Sequence, residues 1–356
     1  MSEEFQHIYQ ESDQWLNDQG PDQHVVVSSR ARLARNLSRI PFATHAKKEE
    51  LEEVTHLVTR AIQDLQSMKS YLPINLHKTS TLERRYLKES HIISSEMEKG
   101  DVHRLVYIRP DYRNSIMVNE EDHLRIQGLV SGFRLQDVFR EILNIDMELM
   151  DTLPIAFSDQ YGYLTACPTN LGTGLRVSVM LHLPGLTISR KIEDALQIIQ
   201  PRGVAVRGFY GENSEYLGDF YQVSNEISLG KTEEEIVEML MSVIRILIER
   251  EEKARETLFL DRAVSIEDAI WRAYGLLSQA RLMDTQEAMK LLSRIRLGVD
   301  RNYFKALDHS RLNRLVIEIQ PAHLEYSEKC GSDSEARDIA RANLLRNIFI
   351  LSGSAN

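Results

Sequence analysis

The stretch 162-GYLTACPTNLGTGLR-176 sets a cysteine, a proline, an asparagine and three glycines between a short strand-like run and the apolar run RVSVMLHL that begins at Arg176. Glycines at 172 and 174 let the backbone approach a ligand with no Cβ in the way, and N–H groups exposed there can face an anion. Arg176, at the start of a strand, offers a planar fork that binds a phosphate through two bonds. The ordinary alternative is a glycine-bearing turn followed by an incidental arginine.

Upstream, VVVSSRARLARN begins at Val25 as a β-branched run and breaks at Ser28 and Ser29 into Arg30, Arg32 and Arg35, with Arg39 close behind. If the strand continues through residue 32, Arg30 and Arg32 share a face. Adjacent guanidinium groups repel unless an anion lies between them, and a polyphosphate suits the pair; a solvated basic edge strand is the alternative. The segment NEEDHLRIQG, 119–128, brings Glu120, Glu121 and Asp122 to the end of an apolar strand, next to a histidine and Arg125. A solvent-facing charged turn is the plain reading of such a cluster. Downstream, Arg207 ends the run VAVRGFYG, and Glu212 sits between Gly211 and Asn213 at a loop tip.

Helical spacing marks 47–70, 81–89, 133–153 and 186–200, while 105–108, 115–118 and 221–229 look like strands. Thr232 with Glu235 forms a capping box that opens a helix to about residue 252. Several connections are too short for a helical crossover, so the expected class is α+β, an antiparallel sheet flanked by helices. From about residue 256 the composition turns helical, with segments at 265–280, 284–297, 310–325 and 334–351. The expected division is a lead-in at 1–24, a catalytic domain at 25–254 and an all-helical domain at 255–356. In its last helix Arg337 and Arg341 share a face beside Asp338 and Ala342, a pattern that suits one more anion or simply a solvated helix face.

At 356 residues, 42% hydrophobic and 27% charged, the chain fits a soluble protein of two domains. No run approaches the roughly 20 apolar residues of a membrane helix and the N-terminus is too polar for a secretory signal, so a cytoplasmic location away from membranes is expected. The net charge of -10 disfavours a general nucleic-acid binder. Cys167 and Cys330 make neither a disulfide framework nor a zinc site, and no metal-ligating motif is present. Walker A, protein-kinase and HExxH signatures are absent. Strand-end arginines with two loop glutamates nevertheless suit phosphoryl transfer, which depends on positioning and charge stabilisation, and a cationic acceptor that a carboxylate deprotonates.

SSRARLARN at 28–36, NEEDHLRIQ at 119–127, CPTNLGTGLR at 167–176 and the Arg-Gly at 207–208 resemble, in that order, the motifs of the phosphagen (guanidino) kinase family. The resemblance covers about residues 25–254. RGFYGENSE in place of a longer specificity loop, together with the helical C-terminal part, is similar to the bacterial branch that phosphorylates arginines of proteins. The resemblance implies ATP and Mg²⁺ as cofactors, with Ser28, Ser29, Arg30, Arg32, Arg125, Arg176 and Arg207 at the nucleotide and His91 near it. It implies Glu121 and Glu212 on the substrate guanidinium, one of them accepting its proton, and Cys167 beside it as a polarised thiol. Arg337, Asp338, Arg341 and Ala342 are implied as an allosteric phosphoarginine site on a dimerisation domain. The implied partners are proteins with exposed arginines, a Clp ATPase and its protease, a heat-shock repressor, a zinc-binding activator and a second copy of the chain. A kinase for free arginine or a related metabolite, and a non-catalytic phosphoarginine-binding adaptor, are the alternatives.

Overall fold

The computed structural model describes residues 8, 14–16, 18–101, 103–209 and 216–353. The expected lead-in lies mostly outside them, and so does Glu212. Ten strands are present among the described residues: β1 (Val26–Arg35), β2 (Leu72–Asn75), β3 (Leu105–Ile108), β4 (Asn114–Val118), β5 (Leu124–Ser131), β6 (Phe157–Ser158), β7 (Gly162–Tyr163), β8 (Leu175–His182), β9 (Val204–Arg207) and β10 (Phe220–Asn225). Eight form one sheet in the order β2-β3-β4-β5-β1-β8-β10-β9, and β6 pairs with β7 separately. Every pairing is antiparallel, and for β3–β4, β4–β5 and β6–β7 the short connections require it.

Alternation along the strands separates two faces. Ala31 and Leu33 of β1, Val177 and Val179 of β8, and Val223 of β10 point to one side. They bury against α1 (Lys48–Asp64), α3 (Leu135–Met150) and α6 (Glu233–Asp261) to make the main core. Each fully buried aliphatic side chain there contributes about 1.5–3 kcal/mol. Ser28, Arg30 and Arg32 point to the other side.

Helix α2 (Thr81–Glu89) has the Ser80–Glu83 capping box, and α6 has the expected Thr232–Glu235 box. The 186–200 segment is two helices rather than one, α4 (Pro184–Ile188) and α5 (Ile192–Ile199), because Arg190 takes a left-handed φ of 57° between them. Helix α6 continues past residue 252 to Asp261, running through the expected domain boundary. Near that boundary Glu251, fully buried, accepts from the N–H groups of Gly185 and Leu186 at the start of α4 and pairs with Arg255.

The C-terminal helices are α7 (Ala263–Gln279), α8 (Thr285–Asp300), α9 (His309–Glu318), α10 (Pro321–Ser327) and α11 (Ser334–Gly353). The 310–325 segment divides where Gln320, with ψ 152°, precedes Pro321; proline lacks an N–H and disfavours a helical residue before it. These helices share a second core with Val27, Met180, Phe209 and Phe220 of the sheet region. A polar seam lies alongside. Glu89, at the end of α2, accepts from the N–H groups of Ala322 (2.9 Å) and His323 (3.2 Å) at the start of α10.

Candidate active site

Strand register places arginines across neighbouring strands on the polar face of the sheet. Arg32 lies directly opposite Arg176, Arg30 opposite Ser178, and Arg207 opposite Gln222. Together with Ser28, Met180 and Ser224 they line a cavity of about 330 Å³. The buried Nε atoms of Arg30 and Arg32 have no hydrogen-bond partner among the described residues. Burial, and then repulsion from Arg125 and Arg176, lowers the Arg30 guanidinium to about 10. Burial and the charges of Arg30, Arg125 and Arg176 push Arg32 well down as well. At neutral pH Arg30 stays cationic, so the arrangement is electrostatically incomplete without an anion. A polyphosphate supplies the missing charge and acceptors.

Arg125 occupies β5 next to this row and pairs with Glu120. It is outside the residues that line the cavity. Ser29 departs from the implied nucleotide contact. Alternation turns it to the opposite face, where it is fully buried and its Oγ donates to Gly132 O (2.8 Å) and accepts from Arg134 N (3.1 Å). Ser28, one residue earlier, does face the cavity.

The wall opposite the sheet comes from the end of α2 and the turn after it: Lys88, His91, Ile93, Ser94 and Ser95. His91 has a φ of 61° and makes an edge contact with Phe209 at 6.1 Å between ring centroids. Burial, with a further contribution from Arg30, lowers its imidazole to about 3, so it is neutral near pH 7. Gln320 of the C-terminal part completes the wall. Sequence reasoning passed over Gln320, and also Ser178, Gln222 and Ser224. The last three carry a legible signal, polar residues at alternate positions of otherwise apolar strands.

At the β4–β5 end of the sheet, Asn119 takes a φ of 59° and starts a tight turn whose Glu120 N–H reaches Asp122 O at 3.1 Å. Although burial raises the Glu120 carboxyl, Arg125, Ser94 and the Glu121 N–H hold it below its ordinary value. Glu121 is shifted the other way, raised by burial and by the charges of Asp122 and Glu120. The charge of Arg125 and the neighbouring Cys167 thiol act in the opposite direction. Cys167 Sγ also lies 3.0 Å from Thr169 Oγ1, a contact the sequence reading did not assign. Two glycines permit this loop. A Cβ on Gly172 (φ 106°) would come within 2.9 Å of Leu229 Cα, and one on Gly174 (φ 66°) within 2.6 Å of Ala34 O.

In the C-terminal part, Arg337 and Arg341 have different surroundings. Arg337 donates to Glu325 Oε1 at 2.8 Å, and Glu325 also pairs with Arg85 of α2 at 3.3 Å. Arg341 is 1% exposed and donates to the carbonyls of Ile319 (2.9 Å) and Met283 (2.8 Å) and to Asp338 Oδ1 (2.6 Å). Ala342 is buried in the helical core. Instead of a symmetric pair on a solvated face, the motif has one partly accessible guanidinium and one that holds helices together.

Residues 53–254 match the model of the ATP:guanido phosphotransferase C-terminal catalytic domain, and residues 263–355 match that of the protein-arginine kinase McsB C-terminal domain. A protein-arginine kinase of Pelotomaculum thermopropionicum is 41% identical over 338 residues, covering 94% of this chain and 95% of that protein. One from Bacillus licheniformis is 39% identical over 355 residues, covering 99% of this chain and 98% of that protein. Among solved structures, a lombricine kinase superposes with a TM-score of 0.59 at 27% identity, covering 65% of this chain and 68% of that one. The duplicated taurocyamine kinase of Schistosoma mansoni gives 0.60 at 27% identity, over 66% of this chain and 34% of that one. With a catalytic-domain match that spans more than half of its length and relatives of about 40% identity along nearly all of it, the chain belongs to the ATP:guanido phosphotransferase family, in the branch of the protein-arginine kinases.

Proposed function

We propose that this chain transfers the γ-phosphoryl group of ATP to the guanidinium of arginine side chains in proteins. The observation that carries this reading is the row of arginines lining one cavity: cations for a polyphosphate, with Arg125 of the neighbouring strand acting on both Arg30 and Glu121 and so linking that row to a carboxylate for a cationic acceptor.

Arg30, Arg32, Arg176 and Arg207 bind the phosphates, with Arg125 held toward them by Glu120 and with Ser28 and the neutral His91 at the cavity wall. Their charge stabilises the transferring phosphoryl group, whose negative charge is spread over its outer oxygens. A guanidino nitrogen attacks the γ-phosphorus, and a P–N bond forms as the bond to the β,γ-bridging oxygen breaks. The electron pair leaves with ADP, and the nitrogen's proton passes to Glu121 or to Glu212. Cys167 lies beside the guanidinium. The serine and glutamine oxygens of the wall suit a cation that arrives on the nucleotide, and Mg²⁺ supplies charge neutralisation on the phosphate oxygens when bound.

The same reading extends to a cytoplasmic homodimer, to Arg337 and Asp338 as receivers of phosphoarginine, and to arginine marking for a Clp ATPase and its protease. A heat-shock repressor among the substrates and a zinc-binding activator complete it. Among the described residues no helix is long and apolar enough to cross a membrane.

The test offers free arginine and an arginine-rich unfolded protein in parallel with ATP and Mg²⁺. Label on the protein that is lost in acid and survives mild base, with little on free arginine, is the expected result. Label on free arginine alone overturns the protein-substrate reading.

A further inference from the structure

We propose that Asp122 is a positioning residue of the transfer site: by accepting the backbone N–H of Ala166 it sets Cys167 against Glu121. The inference rests on the proposed function only for its kinetic consequence.

Asp122 immediately follows Glu121, and Ala166 immediately precedes Cys167. One bond between these neighbours therefore fixes how the acid turn and the cysteine loop sit side by side. Asp122 is 2% exposed, and its Oδ1 accepts at 2.6 Å from Ala166 N and at 2.6 Å from Asn36 Nδ2. Asn36, 1% exposed, also donates to Leu164 O (3.0 Å) and accepts from His123 N (2.9 Å). His123 Nδ1 accepts from Leu37 N at 3.0 Å, so the proton is on Nε2, which donates to Pro41 O at 2.8 Å. The end of β1, the acid turn and the cysteine loop thus meet at a single buried carboxylate.

On the other side of the turn, Asn119 Nδ2 reaches the carbonyls of Leu51 (2.9 Å) and His103 (3.0 Å), and Glu120 is tied to Arg125. Glu121 is therefore bracketed by anchored residues, with the cysteine loop held next to its turn by the Asp122–Ala166 bond. A buried carboxylate needs strong compensating bonds, and burial indeed raises the Asp122 carboxyl against the N–H groups of Ala166 and Asn36, which favour its charged form. The far end of the cysteine loop has its own anchor. Arg35 donates to Thr173 O at 2.9 Å, stacks 3.5 Å over the Tyr163 ring and pairs with Asp146. Removing Asp122 therefore frees only one end of the loop.

The test is a double-mutant cycle on the alkylation rate of Cys167 by iodoacetamide, in a Cys330→Ser background and without nucleotide. In the parent, Glu121→Gln changes the rate by about three- to tenfold, as for contacting residues. In Asp122→Ala the same change has an effect of less than about twofold, and in Asp122→Asn, which retains an acceptor oxygen, the larger effect returns. With the protein substrate, Asp122→Ala lowers kcat by roughly 10- to 100-fold and leaves the KM for ATP within about twofold. Should Asp122→Ala fail to fold, Asp122→Ser, whose hydroxyl is shorter, is put through the same cycle with the same criteria. A parent insensitive to Glu121→Gln, or an Asp122→Ala protein that keeps the full effect, overturns the proposal. The cycle uses neither ATP nor acceptor, so its outcome stands apart from whether the chain phosphorylates proteins.

Discussion

Arg32 on β1 and Arg176 on β8 face one another across adjacent strands, with like charges in a direct cross-strand pair. Such pairs destabilise a sheet, so this one opposes folding until an anion joins it. Arg32→Met is expected to raise the melting temperature of the nucleotide-free protein by a few degrees while weakening ATP binding by roughly 10- to 100-fold, the loss of a charge-assisted bond or two. Calorimetric titration and thermal melts with and without nucleotide measure both effects. Unchanged ATP affinity would remove Arg32 from the nucleotide site.

Glu121→Gln keeps the size and the hydrogen-bonding reach of the side chain but not its basicity. Phosphorylation is expected to fall by about 10²- to 10⁴-fold, with ATP binding nearly unchanged. Burial and the charges of Asp122 and Glu120 raise the Glu121 carboxyl, so the acid limb of the kcat/KM profile should lie above the ordinary glutamate range. Activity is lost as pH falls through that raised value, because the protonated acid cannot accept the guanidinium's proton. A pH profile of the wild type and the variant separates this limb from other groups.

His91 is neutral in the folded state down to about pH 3, whereas an unfolded histidine protonates near 6.5. Below pH 6.5 the unfolded chain therefore binds more protons, and stability drains away as pH falls toward 3. Asparagine tolerates the left-handed backbone of residue 91 and does not titrate. His91→Asn should lose less melting temperature than the wild type between pH 7.5 and pH 5; equal losses would rule out His91 as a contributor.

Arg341→Ala and Arg337→Ala should separate. The first leaves the carbonyls of Ile319 and Met283 and the carboxylate of Asp338 without their buried cation, at a cost of about 3–5 kcal/mol. The second loses a bond from the partly exposed Arg337 to Glu325, a buried carboxylate that keeps Arg85 as a partner, and is expected to cost about 1.5–3 kcal/mol. Urea titration measures both. If phosphoarginine acts here, Arg337→Ala abolishes the response of the kinase to added phosphoarginine and leaves its basal rate intact.

The bonds at Gln320 and Glu89 show why parts of the site escaped a one-dimensional reading. Gln320 lies in a helical segment far along the chain, and nothing in its local pattern says that it borders the cavity. Glu89 reads as an ordinary exposed acid at the end of a helix, yet it accepts from the first N–H groups of α10. Such partners are set by long-range packing, on which local periodicity is silent. Pro321 was visible in the sequence, and its consequence, the division of the 310–325 segment, follows from proline chemistry alone.

The sequence by itself determined the antiparallel α+β class, the helical C-terminal part and the alternation that sets Ser28, Arg30 and Arg32 on one face. Strand periodicity, capping boxes and short connections are local properties, and they survive packing because the apolar face is buried. Only the tertiary structure decided which strands stand side by side, and so that Arg32 meets Arg176, that Arg341 is a buried strut, and that Asp122 reaches Ala166. Those contacts arise from register and from the burial of polar groups that must find partners, and both become fixed only when distant segments close on one core.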